Sequence, residues 1–266
     1  MKLKYQLPPT YRSWFPAELW ELDPVETKAT CDDCAMAPGK HRRAESYRAD
    51  LKCCTFHPWL PNFAVGALLE EDGEGARRLR EKIRRRQYAL PTGVLPPVRY
   101  QIEFNRRRPG DFGNREDWLC PYYEKSTRRC TVWRHRGSVC SSFYCFSDEG
   151  KKGLKFWRSL ENFLGYLEMA MMEEALVRLD FSPRQVSDLL GLMNREDGTQ
   201  REKRSWSLPE KEARRLWNGY YDEQEDFYRR CFRLVRDFSR REIEEALGEA
   251  GTRLRETALV DSRCFR

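Results

Sequence analysis

Apolar positions fall into helical registers through the second half of this chain and into shorter stretches of the first. Residues 151–179 carry two adjoining apolar rows, one of Trp157, Leu160, Leu164, Leu167 and Met171, the other of Phe156, Phe163, Ala170 and Val177. Rows that wide predict one long helix buried over most of its circumference. Three further starts are marked by capping-box patterns, Ser182-Pro-Arg-Gln185, Ser207-Leu-Pro-Glu210 and Ser239-Arg-Arg-Glu242. In such a box the serine and the residue three positions on satisfy each other's backbone amides. Residues 149–266 therefore form a helical region.

Upstream, Trp59, Leu60, Phe63, Ala64, Ala67 and Leu68 recur at helical spacing and predict a helix from Pro61 to Glu71. Its apolar face is expected to turn towards the cysteine-bearing loops around it. Residues 74–87 predict a polar helix with Leu79 and Ile83 as a thin seam, braced by Glu74–Arg78 and Glu81–Arg85 pairs. Val98 to Phe104 alternates as a strand would, with Tyr100, Ile102 and Phe104 on one face, and a second short β element is expected near 130–134. In residues 1–27, prolines 8, 9, 16 and 24 exclude a long helix. Tyr11, Trp14, Phe15 and Trp20 anchor that arm onto its own protein. The fold class read from the pattern is mainly α: an N-terminal arm (1–27), an irregular cysteine-rich module with short β elements (28–148) and the helical region.

Composition narrows the chemistry. No run approaches the ~20 apolar residues that cross a bilayer, and the N-terminus lacks the apolar stretch of a secretion signal. The expected partners thus include no membrane, and the expected address is cytoplasmic. Disulfides are disfavoured there, so ten cysteines call for another use. The net charge of +7 is local, because residues 74–108 hold eleven basic and three acidic side chains. That segment is a candidate nucleic-acid-binding surface, although its helix interleaves no aromatics.

Eight cysteines lie in the first 145 residues, spaced C-x2-C-x18-C-C-x65-C-x9-C-x9-C-x4-C. They are Cys31, Cys34, Cys53, Cys54, Cys120, Cys130, Cys140 and Cys145. Clustered thiols are the candidate metal ligands, and soft thiolates select zinc or iron–sulfur over calcium or magnesium. Eight divide into two tetrathiolate centres, or into one centre with spare redox thiols. Adjacent Cys53 and Cys54 point apart in extended backbone and face one ion only in a turn; they more easily serve two centres, or two irons of a larger cluster. Arg128, Arg129, Arg134 and Arg136 flank the second group and could offset its charge, although each singly is expected to be solvated. His57 is a weaker ligand candidate; His41 and His135 read as exposed loop residues. Cys231 reads as core and Cys264 as part of a fraying tail. Asp111-Phe-Gly113 lacks the loops that accompany it in kinases, and neither GxGxxG nor a P-loop is present.

The segments CDDC, KCC, CPYYE, CTVWRHRG and CSSFYC resemble the zinc- or iron-chelating cysteine-cluster family (YkgJ-type, CxxCxxCC). The likeness spans residues 28–148 and falls on the same eight cysteines, with Pro121 and Gly137 as further pattern positions. It departs in the eighteen residues between the CxxC and the CC, where the family is shorter, and in Gly137, where many members have proline. The resemblance implies a metal-binding protein, its cofactor an iron–sulfur cluster or zinc. Flagellin lysine N-methylases are similar to this family in cysteine pattern and carry an iron–sulfur cluster, which places iron ahead of zinc. They also imply an alternative, a metal-dependent enzyme acting on a protein partner. No catalytic residue emerges from the sequence.

Overall fold

The computed structural model describes residues 2–41 and 44–265, and about 53% of the chain is helical. The order of helices is α1 (Ala17–Trp20), α2 (Asn62–Glu71), α3 (Glu74–Arg84), α4 (Val98–Asn105), α5 (Ser138–Ser142), α6 (Gly150–Arg178), α7 (Pro183–Leu190), α8 (Glu210–Leu216), α9 (Gln224–Arg236) and α10 (Arg240–Asp261). Strands are two residues long. β1 (Leu60–Pro61), β2 (Ala89–Leu90) and β3 (Gly93–Val94) form an antiparallel sheet in the order β1-β3-β2. β4 (Tyr123–Glu124) and β5 (Arg129–Cys130) form a hairpin. The mainly α class with short β elements and a helical C-terminal region is what the apolar pattern predicts.

Helix α6 is the long helix of the two apolar rows. Phe156, Trp157, Leu160, Phe163, Leu164, Leu167, Met171 and Met172 are buried along it, whereas Val177 is exposed at its end. Burial of this many large side chains stabilises far more than helix propensity does. Helix α10 packs along α6, and α2 packs along α9. The latter approach is close enough to need glycine: a Cβ on Gly66 would stand 1.9 Å from the Tyr228 carbonyl oxygen. Helix α2 is accordingly buried all round, from Asn62 to Leu69, with α9 as its chief neighbour. The expectation of a single apolar face turned towards the cysteine loops is corrected by that packing.

Two other local expectations fail for identifiable reasons. Val98–Asn105 is helix, not strand, because Pro97 caps it with φ −57° and Tyr100 and Phe104 stack one turn apart at 5.5 Å. Alternation at i, i+2, i+4 cannot separate that stack from a strand face. The box at Ser207 does not form: Pro209 takes the cap position of α8, and the Ser207 carbonyl accepts from the Ser205 hydroxyl at 2.7 Å. The boxes at Ser182 and Ser239 form with both reciprocal bonds. The β element near 130–134 shrinks to Arg129–Cys130, followed by a 3-10 turn at Trp133–His135.

The N-terminal arm is a chain of short 3-10 turns and α1, docked by its aromatics. Tyr11, Trp14 and Phe15 are buried, with Trp14 edge-on to Phe63 at 5.4 Å and Phe15 against Phe163 at 5.5 Å. The C-terminal turn Ser262–Phe265 also docks, Phe265 packing on Phe156 at 5.2 Å, so Cys264 does not sit in a fraying tail. Cys231 is fully buried, as expected. One apolar core runs from Leu3 through α2, α6 and α9 to Ala258. Among the described residues no helix is long and apolar enough to cross a membrane.

Candidate metal centre

The vicinal pair is held in a turn. Lys52 adopts a left-handed φ of 57°, and successive amides close the chain: Lys52 onto Arg48 O at 2.8 Å, Cys54 onto Leu51 O at 3.2 Å and Phe56 onto Cys53 O at 3.2 Å. This is the one arrangement in which neighbouring cysteines can serve a common region. The Lys52 ammonium donates to the carbonyls of Cys31 and, at 3.2 Å, Arg128, so it staples the CxxC loop and the β4–β5 hairpin onto the turn.

The second group is tied to the first through backbone. Cys120 N donates to Cys54 O at 2.8 Å, and Cys120 O accepts from Tyr123 N at 3.0 Å. Tyr123 then pairs with Cys130 across the hairpin. Cys140 rides on α5, whose first amide, Ser138 N, donates to the Glu168 carboxylate of α6 at 2.8 Å. The loop after Cys34 is held by Tyr47 N donating to Met36 O at 2.8 Å. Tyr47 itself lies over Gly113, at φ +81°, where a Cβ would meet its ring at 2.3 Å.

The eight thiols consequently lie within electrostatic reach of one another in an unbroken series. Cys31 is near Cys53 and Cys130; Cys120 is near Cys130 and Cys140; Cys140 is near Cys53; Cys145 is near Cys53 and Cys34; and Cys53 hydrogen-bonds Cys54. Burial pushes the thiols of Cys120 and Cys140 far up and that of Cys145 up to about 11. All ten cysteines are free thiols. Among the described residues, no three Cys, His, Asp or Glu side chains converge on one point as the ligands of a bound ion do.

The charges around the thiols are informative. Lys52, Lys82 and Arg136 are only 4%, 6% and 5% exposed, and among the described residues no carboxylate forms an ion pair with any of them. The Arg136 guanidinium donates to three carbonyls, those of Cys140 at 2.9 Å, Trp133 at 2.8 Å and Gln6 at 2.8 Å. The thiols that bear on it are those of Cys140, Cys130 and Cys31. The Lys82 ammonium lies 5.8 Å from the Tyr122 ring centroid. Burial lowers its pKa to about 8, and Cys120 is the group that opposes the shift. A buried cation without a counter-charge costs several kcal/mol. Thiolates at these cysteines would offset those charges.

Several sequence expectations change here. Arg128, Arg129 and Arg134 are exposed, but Arg136 is buried because the arm's Gln6 and the Trp133 ring, 3.5 Å away, enclose it. Lys52 and Lys82 were missed. The available signals were the contact of Lys52 in sequence with the CC pair and the place of Lys82 beside Leu79 and Ile83 on the α3 seam. His135 is buried, not exposed, with Nε2 3.0 Å from Glu71 Oε1. His41 is half-buried, its Nε2 3.1 Å from Met36 O. His57 is buried against Tyr100 at 4.9 Å, with Nδ1 unpartnered. Its imidazole is held well below its ordinary value by burial and then by Lys82, with no thiol among the causes.

Part of the basic segment 74–108 is paired within the fold. Arg77 and Arg78 pair with Glu74, Arg80 with Asp72 and Glu225, Arg84 and Arg85 with Glu81, and Arg99 with Glu103. A hollow between Tyr88, Glu202 and Leu208 lies apart from the cysteines. No family model, curated protein or solved structure matches this chain.

Proposed function

We propose that this chain is a metal-binding protein whose eight clustered cysteines, as thiolates, hold an iron–sulfur cluster or zinc. In this reading it is of the kind represented by the zinc- or iron-chelating cysteine-cluster family. What supports it is three buried cations, Lys52, Lys82 and Arg136, without a carboxylate partner among the described residues, in a fold whose cysteines are free thiols. The metal would supply ligand bonds that replace missing apolar burial in these loops and, if it is iron–sulfur, a site for one-electron transfer. Cys31, Cys34, Cys53, Cys54, Cys120, Cys130, Cys140 and Cys145 would hold it. The three cations would offset its negative charge.

Anaerobic purification of the full chain followed by metal analysis and visible spectroscopy tests this reading. Brown protein with iron and acid-labile sulfide supports the cluster, and colourless protein with stoichiometric zinc supports the alternative metal. Recovery of neither, with all eight thiols freely alkylated in the folded protein, would sink it.

A further inference from the structure

We propose that the hollow beside Tyr88 binds a small free α-amino acid as its zwitterion, with Glu212 taking the ammonium and Arg201 and the Tyr88 hydroxyl taking the carboxylate. The site lies apart from the cysteines, and its occupation is independent of what they hold.

The hollow measures about 130 Å³, several times the ~30 Å³ share of one water, so it has room for a small organic molecule. Three stretches of chain wall it: Tyr88 ahead of β2, the turns at 199–207, and residues 208–212 leading into α8. Backbone bonds fix these walls. The Leu208 amide donates to Arg86 O at 2.9 Å, and Arg86 Nε donates back to Leu208 O at 3.3 Å. Leu95 N donates to Tyr88 O at 3.0 Å. Thr199 N donates to Glu202 Oε2 at 2.7 Å, and Glu202 N to Thr199 Oγ1 at 3.2 Å. Walls held in advance lower the ordering cost of binding.

The charged groups around the hollow are of two kinds. Glu202 is engaged, since it accepts the Thr199 amide and lies 3.6 Å from Arg195 Nη1. Glu212 and Arg201 are not. Both line the hollow with opposite charge, and among the described residues neither forms an ion pair with the other or with any third group. Tyr88 is the most enclosed of the lining residues, only 1% exposed, and its hydroxyl proton finds no acceptor among the described residues. Burial, then the Glu202 and Glu212 carboxylates, push that hydroxyl up to about 12, so it stays protonated and remains a donor. A buried donor left without a partner is costly, and a ligand oxygen supplies one. A simple cation would serve Glu212 and leave Arg201 and Tyr88 without partners; a simple anion would do the reverse. One small molecule bearing both charges on neighbouring groups serves all three. Leu208, which is buried, and Pro209 add an apolar flank for a short side chain.

The test is calorimetric titration of the full-length protein with glycine, L-alanine and L-serine, and with ethylamine and propionate, which each keep one of alanine's two charges. At least one of the three amino acids should bind in the millimolar range or tighter. Ethylamine and propionate should bind at least roughly tenfold more weakly than that amino acid. Glu212→Gln and Arg201→Gln should each lower its affinity roughly tenfold. Neither should move the melting temperature of the ligand-free protein, because neither side chain has a partner in the fold. Absence of binding by all three amino acids overturns the proposal. So does ethylamine or propionate binding as tightly as the amino acid, or either variant retaining wild-type affinity.

Discussion

At the scale of single residues, the decisive contrast is between the cysteines and the cations around them. The clustering of the cysteines is legible because it is written in their spacing alone. The burial of Arg136 is not legible, because it depends on Gln6, 130 positions away, and on the Trp133 ring. If Arg136 offsets thiolate charge, Arg136→Met should shrink the gain in melting temperature that metal confers, since the metal-free form sheds an unpaired buried charge while the loaded form loses a counter-ion. Calorimetry of loaded and metal-free protein checks this; an unchanged gain would remove Arg136 from the account. Glu168 gives a second residue-level outcome. Burial raises its carboxyl to about 7 from 4.5, against hydrogen bonds from Ser138 and Tyr11. The folded chain keeps a proton that the unfolded chain releases, so stability falls as pH rises from 4.5 to about 7 and stays lower above. At ~1.4 kcal/mol per unit this amounts to roughly 3 kcal/mol. Glu168→Gln should therefore gain more stability over wild type at pH 8 than at pH 5, read as urea midpoints. Equal gains at both pH values would mean that the carboxyl is ionised throughout.

At the scale of elements, the strong periodic pattern of α6 and the paired caps of α7 and α10 are readable because each rests on contacts within one helix. The errors lie where the deciding contact is remote or ambiguous. Tyr100 and Phe104 fit a strand face as well as a helix turn, and only Pro97 ahead of them favours the helix. Helix α2 is apolar on one side by spacing, yet its other side is buried too, because α9 closes over Gly66. Gly66→Ala should cost about 1–3 kcal/mol, as overpacking does, because the added methyl meets the Tyr228 backbone at 1.9 Å. Gly165→Ala on α6, whose nearest new neighbour is Ser138 Oγ at 3.7 Å, serves as the control and should be neutral or stabilising. Similar unfolding midpoints for the two variants would contradict the close α2–α9 approach.

At the scale of the whole molecule, the core does not follow the cysteine spacing. Leu60 to Leu69, Leu79 and Tyr88 to Val98 share one apolar core with α6, α9 and the N-terminal arm, while most of the thiols sit in loops at 28–56 and 106–148. Ordering such loops costs roughly 1–2 kcal/mol per residue in backbone entropy, and in the proposed reading ligand bonds contribute to offsetting it. Chelation should accordingly open 28–56 and 106–148 to proteases while the helical circular dichroism of α2, α6, α9 and α10 persists. Simultaneous loss of the helical signal would mean that metal and core fold as one cooperative unit. The central claim, that these thiolates are the ligands, is met most directly by X-ray absorption at the edge of the metal that co-purifies with the full chain. The account predicts a first shell of sulfur alone, at about 2.3 Å if the metal is zinc. A first shell of nitrogen or oxygen at about 2.0–2.2 Å would contradict it.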